Sequence, residues 1–134
     1  MKVFVSHTTE DADLARRVGK ALEDAGFDVW DAARDVLPGD NWALEAGQAL
    51  RDADAMVVLL TPAGVRSPFV RADLEYALGE KTFKGRLIPL IVGTPQEITD
   101  EELPWILKRL HTVRLERGDE EGLRRVASLL REAA

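Results

Sequence analysis

The chain has no cysteine, two histidines and only 6% aromatic residues. Without cysteine there is no disulfide framework, thiol nucleophile or thiolate metal site, and the composition suits a reducing compartment. Two histidines are too few to suggest a metal centre, and no metal ligand or resident cofactor is assigned. Positive charge is also scarce, with 18 Lys and Arg against 24 Asp and Glu and a net charge of -6. Phosphate backbones and anionic bilayers are bound by clustered cations, so neither a nucleic-acid nor a membrane partner is expected. The Lys108–Arg109 and Arg124–Arg125 pairs are interleaved with acids and read as solvated helix faces. No apolar run is long enough to cross a bilayer, and the amino terminus enters a strand without the order of a signal peptide, so a cytoplasmic protein is expected. Familiar enzyme signatures are missing as well: there is no glycine-rich dinucleotide fingerprint, no GxxxxGK[ST] loop and no GxSxG elbow. Ser6 and His7 are strand neighbours that point to opposite faces, which argues against a Ser–His nucleophile pair.

What is present is one strongly patterned stretch, Ala53 to Leu78. Ala55 to Leu60 is an unbroken apolar run bounded by Asp52 and Asp54 before it and by Thr61, Pro62 and Gly64 after it. Such a run suits a strand covered on both faces, as in a parallel sheet flanked by helices. Ser67 and Pro68 then open a helix as N-cap and first residue. Its apolar stripe is Val70, Leu74, Ala77 and Leu78. Asp73 lies on that same side, four residues after Phe69 and three before Tyr76, while Glu75 points elsewhere and is expected to pair with Arg71.

The remaining elements follow the same alternation. Strands are expected at Lys2–Ser6, Phe27–Trp30, Arg86–Val92 and, weakly, His111–Leu115, with Pro89 demanding a local irregularity. Helices are expected after Thr8 or Thr9, with Leu14, Val18, Leu22 and Ala25 buried, and at Asn41–Arg51 behind an Asp40 cap. A short helix opened by Pro104 and packed by the indole of Trp105 is also expected, and a last one spans Glu120–Glu132. Asp31 to Asp40 reads as a loop turned by Pro38 and Gly39. The 134 residues, 46% hydrophobic, suit a single domain with one core. Right-handed crossovers between these elements give an α/β, flavodoxin-like three-layer sandwich. If its five parallel strands run 2-1-3-4-5, a ligand crevice opens between the ends of strands one and three. Ser6, His7 and Thr8 would face Thr61 and Pro62 there, with the Asp73 helix alongside.

Four features agree in order and spacing with one family. Phe4-Val5-Ser6-His7 ends the first strand, Arg34-Asp35-Val36-Leu37-Pro38-Gly39 fills the loop after the second, Asp40 and Trp42 follow, and Ser67 to Leu74 opens the third long helix. Over nearly its full length the chain resembles a Toll/interleukin-1 receptor (TIR) domain of the bacterial kind. The RDxxPG segment resembles the tip of the family's BB loop, and the serine, aromatic and acid of the helix resemble the segment that carries the catalytic glutamate in TIR enzymes. Here Asp73 stands in place of that glutamate and Phe69 in place of the usual tryptophan.

The resemblance implies two alternatives. The first is an NAD+ nucleosidase, hydrolysing or cyclising NAD as substrate in bacterial anti-phage defence or signalling. Asp73 would then be the catalytic carboxylate, Ser6, His7, Thr8, Trp42 and Phe69 would line the site, and TIR–TIR self-association through the Asp31 to Asp40 loop would complete it. The second is a non-catalytic adaptor or assembly module. Each residue has a structural reading beside the functional one. Asp73 could hold a neighbouring loop, Trp30 suits core packing, Trp42 suits either the core or a stacked base, and Arg34 with Asp35 could be a solvated pair.

Overall fold

The structure is a computed structural model that describes the chain except residues 38, 81, 82, 84, 111, 116–119 and 134, and except the side chains of residues 33, 34, 108, 109 and 133. Five strands, β1 (Lys2–Ser6), β2 (Asp28–Asp31), β3 (Ala55–Leu60), β4 (Leu87–Val92) and β5 (Val113–Leu115), form one sheet of order β2-β1-β3-β4-β5. Every pairing is parallel, and β1 lies beside β3 with Val3 opposite Ala55 and Ser6 opposite Val58. The helices are α1 (Ala12–Asp24), α2 (Ala32–Asp35), α3 (Trp42–Asp52), α4 (Pro62–Val65), α5 (Pro68–Gly79) and α6 (Glu120–Ala133).

All six residues of β3 are buried, because alternate side chains feed two separate cores. Val57 and Leu59 join Val18, Leu22, Val126 and Leu130 of α1 and α6 on one face. Met56, Val58 and Leu60 join Val65, Val70, Leu74 and Ala77 of α4 and α5 on the other. Each such Val, Leu or Met side chain contributes about 1.5–3 kcal/mol on leaving water. On this second face α5 buries three residues fully, whereas α3 buries none. Ala49 and Leu50 are only partly covered, and a cleft of about 330 Å3 reaches Trp30 and Phe4 beside α3.

The expected architecture and strand order are present, with local differences that have physical causes. Asn41, not Asp40, caps α3, its Oδ1 accepting from the Leu44 amide at 3.2 Å, while Asp40 accepts from the amide of Leu37 at 2.9 Å. The stretch after β2 is not wholly loop, since α2 occupies part of it, and a short 3-10 helix, Thr9–Asp11, precedes α1. Leu78 is exposed rather than buried, and α1 buries Ala15 and Gly19 where Leu14 and Ala25 are only half-covered. Arg71 donates to the Val65 carbonyl at 3.1 Å in place of the expected pairing with Glu75. Trp105 is 70% exposed, so its indole does not pack into the core.

Pro89 sits in an interior strand without a register break, opposite Val58. The carbonyl of Arg86 accepts from Met56 of β3, so even-numbered residues of β4 direct their backbone groups to β3 and odd-numbered ones to β5. Pro89 therefore faces the β5 side, where pairing begins only at Leu90 opposite Val113. Its missing donor falls before that ladder starts. The expected strand residue His111, the turn residue Pro38 and the side chain of Arg34 lie outside the described residues.

Candidate active site

The carboxyl ends of β1 and β3 meet where strand order reverses, and three consecutive residues leave β1 there in different directions. Ser6 follows Phe4 on the face that α5 covers, as strand alternation requires, and its hydroxyl donates to Asp73 Oδ2 at 2.7 Å. The His7 ring goes the other way, with Nε2 2.5 Å from Asp31 Oδ1. Thr8 donates its hydroxyl to Asp11 Oδ2 at 2.8 Å. The Thr61 hydroxyl donates to the same oxygen at 2.5 Å while accepting from the amide of Gly64 at 2.9 Å. Asp11 thus bridges the ends of β1 and β3.

Local sequence explains why Asp73 arrives at Ser6. The Ser67 hydroxyl caps α5 by accepting from the Val70 amide at 3.3 Å, and Pro68 begins the helix. Val70, Leu74 and Ala77 then bury one stripe, and Asp73, between them, is half-buried at its edge. Glu75, about 200° around the axis from Asp73, is exposed. Gly64 lets α4 sit close under this end of the sheet, since a Cβ there would lie 2.3 Å from the Leu59 carbonyl oxygen.

Burial raises the pKa of Asp73 above the ordinary 3.8, and the Ser6 hydrogen bond opposes the rise only in part. A carboxyl group shifted this way is a physical mark of a functional acid as well as of a structural one. Trp42 and Phe69 stand at the starts of α3 and α5 in an edge-to-face contact, centroids 6.1 Å apart. They are 50% and 69% exposed, so both rings remain open to a ligand. Phe69 precedes Asp73 by one helical turn. Trp30 stacks on Phe4 at 5.0 Å, which fits its packing role.

The structure therefore brings Ser6 to Asp73, Thr8 to Thr61 through Asp11, and Trp42 to Phe69. His7 is placed differently from the wall position expected for it. Its side chain is 4% exposed and both ring nitrogens are engaged, Nδ1 lying 2.6 Å from the Thr8 carbonyl oxygen. Sequence reading missed the roles of Asp11 and Asp31. The Thr8-x-x-Asp11 spacing at a helix start and an acid closing an apolar strand were the available signals. Among the described residues no group of histidines and carboxylates could hold a metal ion, and no helix is long and apolar enough to cross a membrane. A larger cleft between α1 and α6, about 490 Å3, is lined by none of these site residues.

A five-stranded parallel sheet of this order, with an acid and open aromatic rings beside the point where strand order reverses, defines a doubly wound α/β domain, a class in which ligands bind beyond the strand ends. The sequence profile of the TIR domain matches residues 3–127, and the chain belongs to that family. It is 29% identical over 73 residues to the 2' cyclic ADP-D-ribose synthase BtTIR of Bacteroides thetaiotaomicron, a match covering 54% of this chain and 25% of that protein. The matched segment thus spans about a quarter of that relative's length. Among solved structures it resembles a metazoan TIR-STING receptor from C. gigas in complex with 2',3'-cGAMP, with a TM-score of 0.77, 21% identity, and 96% of this chain and 38% of that one covered. It also resembles the CMP N-glycosidase BcmB of Clostridium botulinum, with a TM-score of 0.59, 17% identity, and 91% and 94% covered. At these identities the two structures speak for the fold alone.

Proposed function

We propose that residues 1–134, as a single TIR domain, cleave the nicotinamide–ribose bond of NAD, with Asp73 as the carboxylate beside the reacting ribose. The observation that carries this reading is the Ser6–Asp73 contact, in which a hydroxyl orients a half-buried acid of raised pKa at the switch point of a TIR fold. The similarity to a cyclic ADP-D-ribose synthase supports NAD as the substrate. In the reaction the C1'–N bond breaks and its electron pair goes to the pyridinium nitrogen, so nicotinamide leaves neutral and needs no general acid. The Asp73 carboxylate stabilises the oxocarbenium-like ribose. Water captures that carbon and loses a proton to solvent in hydrolysis, or a hydroxyl of the same dinucleotide captures it in cyclisation. One carboxylate suffices where ordinary glycosidases use two.

Ser6 and Thr8 form the floor of this site, and the open rings of Trp42 and Phe69 offer stacking faces to the bases. NAD is consumed as substrate, with no resident cofactor and no metal. Self-association through the Asp31 to Asp40 loop completes the crevice, and the setting is cytoplasmic bacterial defence or signalling. Incubating concentrated protein with NAD and following nicotinamide release by chromatography tests the reading. Release is expected from the parent chain and not from Asp73→Asn, and equal release from both sinks the assignment of Asp73.

A non-catalytic assembly module is the second reading. Its support is the exposed apolar set Leu37, Trp42, Leu44 and Phe69, which suits a docking face as well as a substrate mouth. Concentration-dependent association without NAD cleavage at any concentration establishes that alternative.

A further inference from the structure

His7 has a hydrogen-bond acceptor at each ring nitrogen: the Thr8 carbonyl oxygen at Nδ1, 2.6 Å, and the Asp31 carboxylate at Nε2, 2.5 Å. A carbonyl only accepts, and an ionised carboxylate only accepts, so a neutral imidazole with its single N–H leaves one of these contacts without a proton. The imidazolium satisfies both. Burial opposes the charge, but the bonds to Asp31 and Thr8 and the charges of Asp31 and Asp11 outweigh it and hold the pKa above 6.5. Those two acids, one on β2 and one on the 3-10 helix, are the charged groups acting on the ring among the described residues. Asp31 is the last residue of β2, and its amide donates to Asp35 Oδ2 at 2.8 Å within α2. The His7 contact therefore pins the point where the 31–40 loop leaves the sheet.

We propose that His7 is a positioning residue, held as an imidazolium, that clamps the base of the 31–40 loop to the end of β1, and that release of its proton to solvent weakens this clamp, by leaving one of the two ring contacts without a proton, while Asp73 stays bonded to Ser6. Ser6 is spared because it points to the opposite face of the sheet from His7. The clamp follows from geometry alone, and only its consequence for catalysis rests on reading the crevice as an NAD site. The sign is that of a cation stabilised in the closed form: the clamp holds fully below the ordinary histidine pKa and is weakened as pH rises through the raised one. Loop opening thus becomes more frequent as pH rises above the ordinary histidine value.

Nitrogen-15 NMR of the labelled chain tests this directly, because the sequence has two histidines and His111→Gln removes the other signal. Both His7 nitrogens are expected to carry protons below the ordinary histidine pKa, with a midpoint raised above 6.5. Amide protection of residues 32–37, normalised to β3 in the same sample, should fall about tenfold per pH unit between the ordinary histidine value and that midpoint. Asp31→Asn should lower the midpoint, and His7→Gln should make loop protection independent of pH. If His7→Gln does not fold, the Asp31→Asn comparison decides. A His7 midpoint at or below 6.5, or loop protection indifferent to His7 titration, overturns the proposal. These readouts need no turnover, so failure of NAD cleavage and failure of the clamp are told apart.

Discussion

Ser6 and Asp73, 67 residues apart in sequence, are joined by a 2.7 Å hydrogen bond in which the serine hydroxyl donates to Oδ2. The bond fixes one carboxylate oxygen and leaves the acid's raised pKa as a net result of burial over hydrogen bonding. A group whose ionised form is disfavoured in the fold reduces stability once it ionises. Asp73→Asn should therefore abolish NAD cleavage and, at neutral pH, raise the melting temperature. Lower melting of the variant would mean that the acid holds the structure together.

If the proposed cleavage occurs at Asp73, the same shift sets the acid limb of its pH profile. Asp73 must be ionised to stabilise a cationic ribose, so activity should fall on acidification through a pKa above the ordinary 3.8. Ser6→Ala removes the contact that lowers this pKa, and the acid limb should move to higher pH. A limb that stays put in Ser6→Ala assigns the titration to another group.

Chain length at position 73 is a separate variable. The aspartate arm is about 1.5 Å shorter than a glutamate arm, and a misplacement of about 1 Å can cost on the order of 100-fold in rate. Asp73→Glu should raise turnover, while Glu75→Gln, exposed on the far side of α5, should leave most of it. Steady-state kinetics on NAD distinguish the two positions, and loss of turnover in Glu75→Gln alone would place the chemistry on the other side of α5.

Leu37 is 64% exposed on the loop assigned to self-association. Leu37→Glu should weaken association, by about fivefold or more if the side chain contributes about 1 kcal/mol to the contact. Light scattering over a concentration series checks this, and identical curves for variant and parent place the interface elsewhere.

Gly64 tests how the crevice floor is supported. Its substituted Cβ would meet a backbone oxygen at 2.3 Å, which no side-chain rotation relieves. Gly64→Ala should cost about 1–3 kcal/mol of stability, read by denaturant unfolding, and a neutral effect would show that α4 can shift freely.

Much of this arrangement is visible in the residues themselves. The continuous apolar run of β3 announces a strand covered on both faces, and Ser67-Pro68 announces the start of α5, because both signals are local. Crossover handedness points to the doubly wound class, and the meeting of Ser6 with the Asp73 helix follows only once the strand order is 2-1-3-4-5. What escaped reading depends on tertiary neighbours. Asp40 and Asn41 are both good caps, and only the start of α3 decides between them. Trp105 beside Pro104 looks like a buried anchor, yet its exposure depends on how the surrounding side chains pack. His7 reads equally well as a wall or a clamp until Asp31 is found beside it. Asp11 becomes visible only when Thr8 and Thr61 arrive at the same carboxylate.

The two helices whose first turns carry the touching rings of Trp42 and Phe69 are fastened unequally. Displacing α5 exposes Val70, Leu74 and Ala77, whereas α3 has no fully buried residue to expose and therefore shifts at far lower cost. The helix that follows the 31–40 loop and starts with Trp42 is thus the compliant jaw, and the one bearing Asp73 is the anvil. On the proposed reading, a dinucleotide or a second TIR domain arriving between the two rings pushes the compliant jaw aside while the carboxylate keeps its aim.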